Sequence, residues 1–343
     1  MYVIHKEIIE DNVRDIKKAF EDNGLDLTIC YSFKTNMMKD VTRIMEDLLV
    51  VPEVVSEYEY ESVNNKERMI VCNGVAMTYY QIARHIINND LVNFNDCSSI
   101  KEVVRIASRG MLENKEVGLR IMLDGKSRFG VKVEDVKDVL DVIEENGMIL
   151  KCIHCHVSGT RELSKYRKKV RDLINVILDN DIQPEIIDFG GNMYGKMPDE
   201  LLSRFDEVCT FDDYARVISE EVKRLDYKPM IMLELGTALI ANAVSVKAKV
   251  IRIDEYNRVV LDIDKFTIGQ VLVRGAVYDC KSCNESDEKY KVYGSTCMED
   301  DCIIDEYIGE LHVGDEFEFY NCGAYSYCFE SDFIIPKQEI VVE

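Results

Sequence analysis

No stretch of this 343-residue sequence reaches the roughly 18 consecutive apolar residues that a membrane span needs. The first residues, Met1-Tyr-Val-Ile-His-Lys-Glu, contain no long apolar run, so no signal peptide is visible. Positive charge is scarce. There are 42 Lys and Arg against 64 Asp and Glu, a net charge of −22, which argues against nucleic acid and anionic membranes as partners. No internal repeat and no low-complexity linker stands out. A paired metal motif is also missing. Cys280-Lys-Ser-Cys283 has no second pair, and a structural zinc wants four ligands. In Cys152-Ile-His154-Cys155-His156, strand alternation splits the metal-type side chains between two faces. No metal is expected. The twelve cysteines are scattered, many within apolar strands, and with no export signal they read as reduced thiols in a cytoplasm.

What is present centres on Thr28-Ile-Cys-Tyr-Ser-Phe-Lys34-Thr-Asn36. Its short run of β-branched and aromatic residues predicts a strand, and the strand closes on a lysine. A lysine in that position is placed to be desolvated, which lowers its pKa and makes it a nucleophile or Schiff-base former. The ordinary alternative is a strand-end lysine that snorkels into solvent.

The length allows a large core and two domains. Strands are predicted at 28–33, 53–56, 69–72, 91–94, 117–122, 150–157, 185–189 and 230–234. Amphipathic helical stretches separate most of them, at 77–87, 99–109, 133–145, 162–178 and 212–224. Eight strands alternating with helices define a (β/α)8 TIM barrel over 25–243. After Ala243 the texture becomes strand-like, at 244–253, 258–262, 271–278 and 316–320, divided by glycine turns. We therefore expect a C-terminal all-β domain over 244–343. Residues 1–24 are expected to form a strand and a helix packed on that β domain.

Chemistry in such a barrel sits at the carboxyl ends of the strands. Lys34, Arg120, His154-Cys-His156-Val-Ser158-Gly159, Asp188-Phe-Gly190-Gly191 and Glu234-Leu-Gly236-Thr237 all fall there. Glycines after a strand let backbone N–H groups approach a phosphate closely. A lysine, histidines, buried acids and two glycine turns on one face suit a phosphorylated aldehyde better than a metal.

These motifs resemble the pyridoxal-phosphate decarboxylases of the alanine-racemase-like fold, the group of ornithine, arginine and diaminopimelate decarboxylases. Tyr31-Ser-Phe-Lys34-Thr-Asn36 is similar to the family's Y-x-x-K-x-N, whose lysine carries the cofactor. His156 resembles the histidine that stacks on the pyridine ring, and Asp188-Phe-Gly190-Gly191 the D-x-G-G-G phosphate turn. Glu234 resembles the acid of E-P-G-R, which pairs with the pyridine nitrogen. Gly294-Ser-Thr-Cys297, Val313-Gly314-Asp315 and Gly323-Ala324-Tyr325 are similar to G-P-x-C, V-G-D and G-A-Y in order and spacing. The resemblance implies Arg120 beneath the ring, Tyr325 on the phosphate, and Cys297 returning a proton to Cα. In relatives that cysteine comes from the partner subunit, so a homodimer with shared sites is implied.

The sequence also departs from the family. Ser158 and Gly159 are exchanged relative to H-x-G-S, Asn192 replaces the third glycine of the phosphate turn, and Leu235 and Thr237 replace the proline and arginine of E-P-G-R. Thr237 carries no charge, so weaker cofactor binding is expected, by roughly the 1.5–3 kcal/mol of one charged hydrogen bond. Met298 follows the cysteine where an acid is usual. Asp279, in Tyr278-Asp279, resembles the carboxylate that holds a distal amine. The expected activity is decarboxylation of an amino acid with a distal amine, of the ornithine, lysine or diaminopimelate kind, or of a modified or carrier-attached one. The alternatives are a racemase or epimerase on the same fold, or a cofactor-binding protein without turnover.

Overall fold

The computed structural model describes the chain except for residues 108, 270–274 and 282–283. Eight strands form at the predicted places: Leu27–Ser32, Val51–Ser56, Val71–Ala76, Leu91–Phe94, Glu116–Met122, Ile149–His154, Ile186–Asp188 and Met230–Leu235. Each pairs in parallel with its neighbour in sequence, and the eighth returns to the first, with Glu234 level with Cys30. The expected (β/α)8 barrel is therefore present, closed and without an open edge.

The barrel interior has two storeys, because residues two apart on a strand share a face. The lower storey is apolar: Cys30, Val71, Leu91, Cys152, Ile186 and Met232, each no more than 2% exposed, pack into one cluster. Two residues further along the same strands the side chains turn polar: Ser32, Asn73, Asn93, His154, Asp188 and Glu234. Glu53 and Arg120 occupy the corresponding positions of the remaining strands. Gly118 is the one gap. A Cβ there would lie 1.7 Å from Asn93 Oδ1, so the glycine makes room for the asparagine to lean across.

Amphipathic helices cover the outside of the ring. Tyr79–Ile87 and Phe211–Val222 both start on capping boxes, from Thr78 and Thr210, which satisfy their first free N–H groups. The N-terminal helix Lys6–Asp22 corrects an expectation. It packs on the barrel, against Phe211–Val222, and among the described residues touches the β domain mainly at its first residue, where Lys6 N donates to the Glu343 carbonyl at 3.0 Å. Its buried face of Ile9, Val13, Ile16 and Phe20 has an apolar partner there. Asn12 is buried among these residues and donates to the Leu239 carbonyl at 3.0 Å. Only the preceding strand, Tyr2–Ile4, joins the β domain, antiparallel to 244–246 and parallel to Ile340–Val342.

The second sheet is built on Val244–Ile253, flanked by Arg258–Leu261 and Glu316–Phe319. Two long strands, Asn284–Tyr293 and Cys302–Glu310, pair antiparallel and were not predicted. The strand expected over 271–278 lies largely outside the described residues, and Tyr278–Cys280 forms a short strand. Ten cysteines are free thiols, but Cys280 is disulfide-bonded, against the expectation of reduced thiols throughout. Cys283 lies outside the described residues. Among the described residues, no helix is long and apolar enough to cross a membrane.

The two sheets meet beside Lys34. Asn36 Nδ2 donates to the Gly323 carbonyl at 2.9 Å, and Tyr325 N to the Thr35 carbonyl at 2.9 Å. Gly323 lies so close to the barrel that a Cβ would sit 1.8 Å from the Ile240 carbonyl oxygen.

Candidate active site

Lys34 lies in a short 3-10 turn, Phe33–Thr35, that ends the first barrel strand. Its side chain is 34% exposed, and that exposed part lines a cavity of about 620 Å³ at the carboxyl end of the barrel. Nζ lies 2.8 Å from Glu53 Oε2, and Glu53 is 1% exposed. The expected fall in the Lys34 pKa is overturned. Burial does push it down, but the charges of Glu53 and Glu234 and the Glu53 hydrogen bond outweigh burial, so the pKa rises above the ordinary lysine value. With Glu53 and Glu234 beside it, Lys34 is held as an ammonium.

Glu53 begins a buried polar chain. It accepts from Ser32 Oγ at 2.6 Å and from Asn73 Nδ2 at 3.1 Å. The Asn73 amide also donates to Glu234, and Asn93 Nδ2 donates to Asn73 Oδ1 at 2.8 Å. On its far side Glu234 Oε2 lies 3.2 Å from His154 Nε2. Burial alone would raise the Glu234 pKa. The His154 ring, Lys34 and His156 reverse that and hold the carboxyl well below the usual range. Asp188 moves the other way: burial first, then repulsion from Glu234, raises its pKa well above the usual value. Two carboxyls packed together cannot both ionise cheaply, so Glu234 carries the charge and Asp188 the proton. Asp188 Oδ1 also accepts from Gly190 N at 2.8 Å, which fixes the start of the glycine turn.

His156 lines the same cavity, and burial pushes its pKa down to about 3. The ring is therefore neutral near pH 7, as a stacking surface for an aromatic ligand needs. A linkage effect follows. The unfolded ring takes up a proton as pH falls through its ordinary 6.5, and the folded ring does so only near 3. Acidification across that window therefore favours the unfolded state. In cofactor-free protein, log K for unfolding should fall by about one less per pH unit as pH rises through this range in His156→Gln than in wild type. Parallel slopes from urea melts between pH 4 and 6 would count against a buried neutral His156.

Beside the first cavity lies a smaller one of about 210 Å³, lined by Lys34, Thr35, His156, Ser158, Arg161, Gly191, Asn192, Glu234, Gly236, Thr237 and Tyr325 among others. The backbone explains several departures from the family pattern. Gly159 has φ +72°, a left-handed conformation, so glycine suits that place and serine does not. Asn192 has φ +68°, and asparagine tolerates this region; its Nδ2 ties the turn to the Val157 carbonyl at 2.5 Å. Gly190 and Gly191 cannot take a side chain without striking the Cys155 and Glu234 carbonyl oxygens, at 2.6 and 2.7 Å. At Gly236 a Cβ would lie 1.9 Å from Thr35 Oγ1, a buried hydroxyl with no hydrogen-bond partner. Tyr325 is held at φ +57°, which costs about 1–2 kcal/mol in a non-glycine residue. Behind the turn, the buried Lys169 donates to the Phe189 and Gly191 carbonyls at 2.8 and 3.3 Å. Burial lowers its pKa to about 8.

Lys34, Arg120, His156, Ser158, Gly191, Glu234, Thr237 and Tyr325 thus surround two adjoining cavities, with Gly190 at the start of the turn and Gly159 just beyond Ser158. Arg120 sits with its guanidinium 5.1 Å from the Phe129 ring. Cys297, Met298 and Asp279 line neither cavity of their own chain. Cys297 is an exposed thiol, and Asp279 is exposed and accepts from Tyr320 OH at 2.8 Å. Sequence reasoning missed Glu53, Asn73, Asn93, Arg161 and Lys169. The signal for the first three was the polar residue two places after each apolar barrel residue. Arg161 and Lys169 had no such signal.

A pyridoxal-type cofactor needs a lysine for its aldehyde, an acid for its ring nitrogen and a cup for its phosphate. Lys34, the ionised Glu234 and the cavity around Gly191 and Gly236 supply them on a closed barrel, so the residues fit the group. The fold and site define a barrel of the pyridoxal-binding class. The family described as "pyridoxal-dependent decarboxylase, pyridoxal binding domain" matches residues 6–241, and the chain belongs to that family. It is 25% identical to diaminopimelate decarboxylase of Methanocaldococcus jannaschii, over 95% of this chain and 81% of that one. Diaminopimelate decarboxylase of Helicobacter pylori, solved in complex with L-lysine, superposes with a TM-score of 0.86 at 18% identity, covering 100% of this chain and 91% of that one. Arginine decarboxylase of Paramecium bursaria Chlorella virus, bound to agmatine, superposes at 0.81 and 19% identity, covering 100% and 96%.

Proposed function

We propose that this chain, as a cytoplasmic homodimer, uses pyridoxal phosphate to decarboxylate an amino acid with a distal amine, of the ornithine, lysine or diaminopimelate kind, or a modified or carrier-attached one. The observation that carries the reading is the convergence of Lys34, held by Glu53, and a buried, ionised Glu234 on one cavity, next to a glycine-walled anion cup. The relatives named for diaminopimelate, ornithine and arginine decarboxylases support the substrate class.

When bound, the cofactor supplies an electron sink for the pair left at Cα as the bond to the carboxylate breaks. The chain's own residues set up that chemistry. Lys34 holds the aldehyde end. Glu234 keeps a proton on the ring nitrogen, and Asp188, His154 and Asn73 hold Glu234 in place. Neutral His156 packs against the ring face. Arg120 would lie beneath the ring, and Asp124, Lys126 and Arg128 on the wall of the larger cavity offer both signs of charge to a substrate bearing amines and carboxylates. Cys297 and Met298 enter the site from the partner subunit, with Cys297 returning the proton to Cα. Asp279 pairs with the distal amine.

The direct test incubates purified protein with pyridoxal phosphate and a panel of amino acids, following carbon dioxide and chirality together. Loss of chirality without carbon dioxide would replace the decarboxylase reading with a racemase. The shared site has its own test. Cys297→Ala should still release carbon dioxide but misplace the proton, giving aldehyde and pyridoxamine phosphate. Lys34→Ala and Cys297→Ala chains mixed equally give about half hybrid dimers, each with one doubly damaged and one intact site. Normal product formation should therefore return to about a quarter of wild type. No rescue, with subunit exchange shown separately, would remove Cys297 from the neighbouring site.

A further inference from the structure

The anion cup has a charge problem. A phosphate brings close to two negative charges, and the buried Glu234 carboxylate already lines the cup. Thr237 stands where a charged side chain was expected and offers only a hydroxyl. Two cations line the cup, Lys34 and Arg161. Lys34 is committed to Glu53, and in the proposed function its nitrogen is consumed by the cofactor aldehyde.

Arg161 follows the His156-Val-Ser158-Gly159 turn after the sixth barrel strand. It is half-buried, yet its guanidinium makes no ion pair or hydrogen bond among the described residues. Its recorded contact is with the face of the Tyr194 ring, at 5.8 Å. In a chain carrying 64 acidic residues, a half-buried arginine left without a carboxylate is unusual. A guanidinium stacked on an aromatic face is held in orientation without spending its donors. All five N–H groups therefore stay available for an anion, and a phosphate accepts two at once in parallel.

We propose that Arg161 supplies the cation of the phosphate subsite, from the loop after the sixth strand, in place of the charge missing at Thr237. This rests on the pyridoxal-phosphate reading above and stands against the expectation of weaker cofactor binding. The loss at position 237 does not leave the phosphate without a charged partner. It moves that partner to the loop after the sixth strand, which lines the same cup, and Tyr194 acts as its positioning residue.

The test compares pyridoxal phosphate with pyridoxal, which lacks the phosphate, on full-length protein stripped of cofactor, reading Kd from fluorescence quenching. Arg161→Ala should weaken pyridoxal phosphate binding about ten- to a hundred-fold, the range of one charge-assisted hydrogen-bonded contact, and leave pyridoxal binding within two-fold. Arg161→Lys should recover part of the loss. Inorganic phosphate should compete with pyridoxal phosphate on wild type and much less on Arg161→Ala. Thr237→Arg should help far more in the Arg161→Ala background than in wild type, the coupling expected of two groups serving one charge. Equal weakening of both ligands, or of neither, with the thermal melt unchanged, overturns the role of Arg161 while wild-type binding keeps the cofactor reading intact. A wild type that binds neither ligand overturns both.

Discussion

Lys34→Ala should lose carbon dioxide release by about 10³-fold or more, because a covalent anchor has no partial substitute in the site. The wild-type protein loaded with pyridoxal phosphate should absorb in the visible range, and borohydride should fix the cofactor to a peptide containing Lys34. The rival is Lys126, the other lysine on the wall of the larger cavity. It sits in the loop after the fifth strand, on a turn made by the Asp124 carboxyl, which accepts from the N–H groups of Lys126 and Ser127. A peptide labelled at Lys126, or at none with saturating cofactor, would sink the assignment. The Glu53 contact adds a kinetic signature. Lys34 begins as an ammonium, so loading should speed up as pH rises, while the release of Glu53 leaves that acid to the Asn73 and Ser32 donors.

Glu234→Gln should cost about 10²–10⁴ in the rate of carbon dioxide release, the range seen when a positioned proton-holding group is lost, with the cofactor still attached at Lys34. The substitution keeps the shape and can keep a hydrogen bond from Asn73. What it removes is the charge that sets the protonation of its neighbours. Asp188 is held protonated partly by Glu234, so its pKa should fall in the variant. A rate within a few-fold of wild type, with a normal melt, would mean that Glu234 serves the barrel's packing and not the ring nitrogen.

The barrel was legible because a parallel strand buried on both faces reads as a short apolar run, and all eight runs are of that kind. The hairpin of Asn284–Tyr293 and Cys302–Glu310 was not. Its first strand reads Asn-Glu-Ser-Asp-Glu-Lys-Tyr-Lys-Val-Tyr, and from Ser286 on only Tyr290 and Val292 are buried, so polar faces hid the alternation. The helix Lys6–Asp22 was legible as a helix but not in its packing, since amphipathicity shows that a face is buried and not against what. At the site, Lys34, His156, Glu234 and Tyr325 were found from motif residues. Glu53 lay inside a predicted strand and went unremarked, yet it sets the charge state of Lys34. The direction of that pKa shift failed for the same reason: burial was inferred without the partner that burial brings along. Arg161 depends on which loops come together around one cavity, which spacing along a chain does not encode.

The apolar lower storey makes the barrel a blind well. Cys30, Val71, Leu91, Cys152, Ile186 and Met232 pack together below the polar ring, each buried and none bearing a charge. All traffic therefore shares one mouth. A cofactor at the anion cup stands beside the substrate's doorway, and an amine product must leave before the next amino acid can enter. The partner subunit, in the proposed dimer, stands at that same opening. Departure of the product then becomes a matter of queueing at a single door, and any amine that lingers there excludes substrate outright.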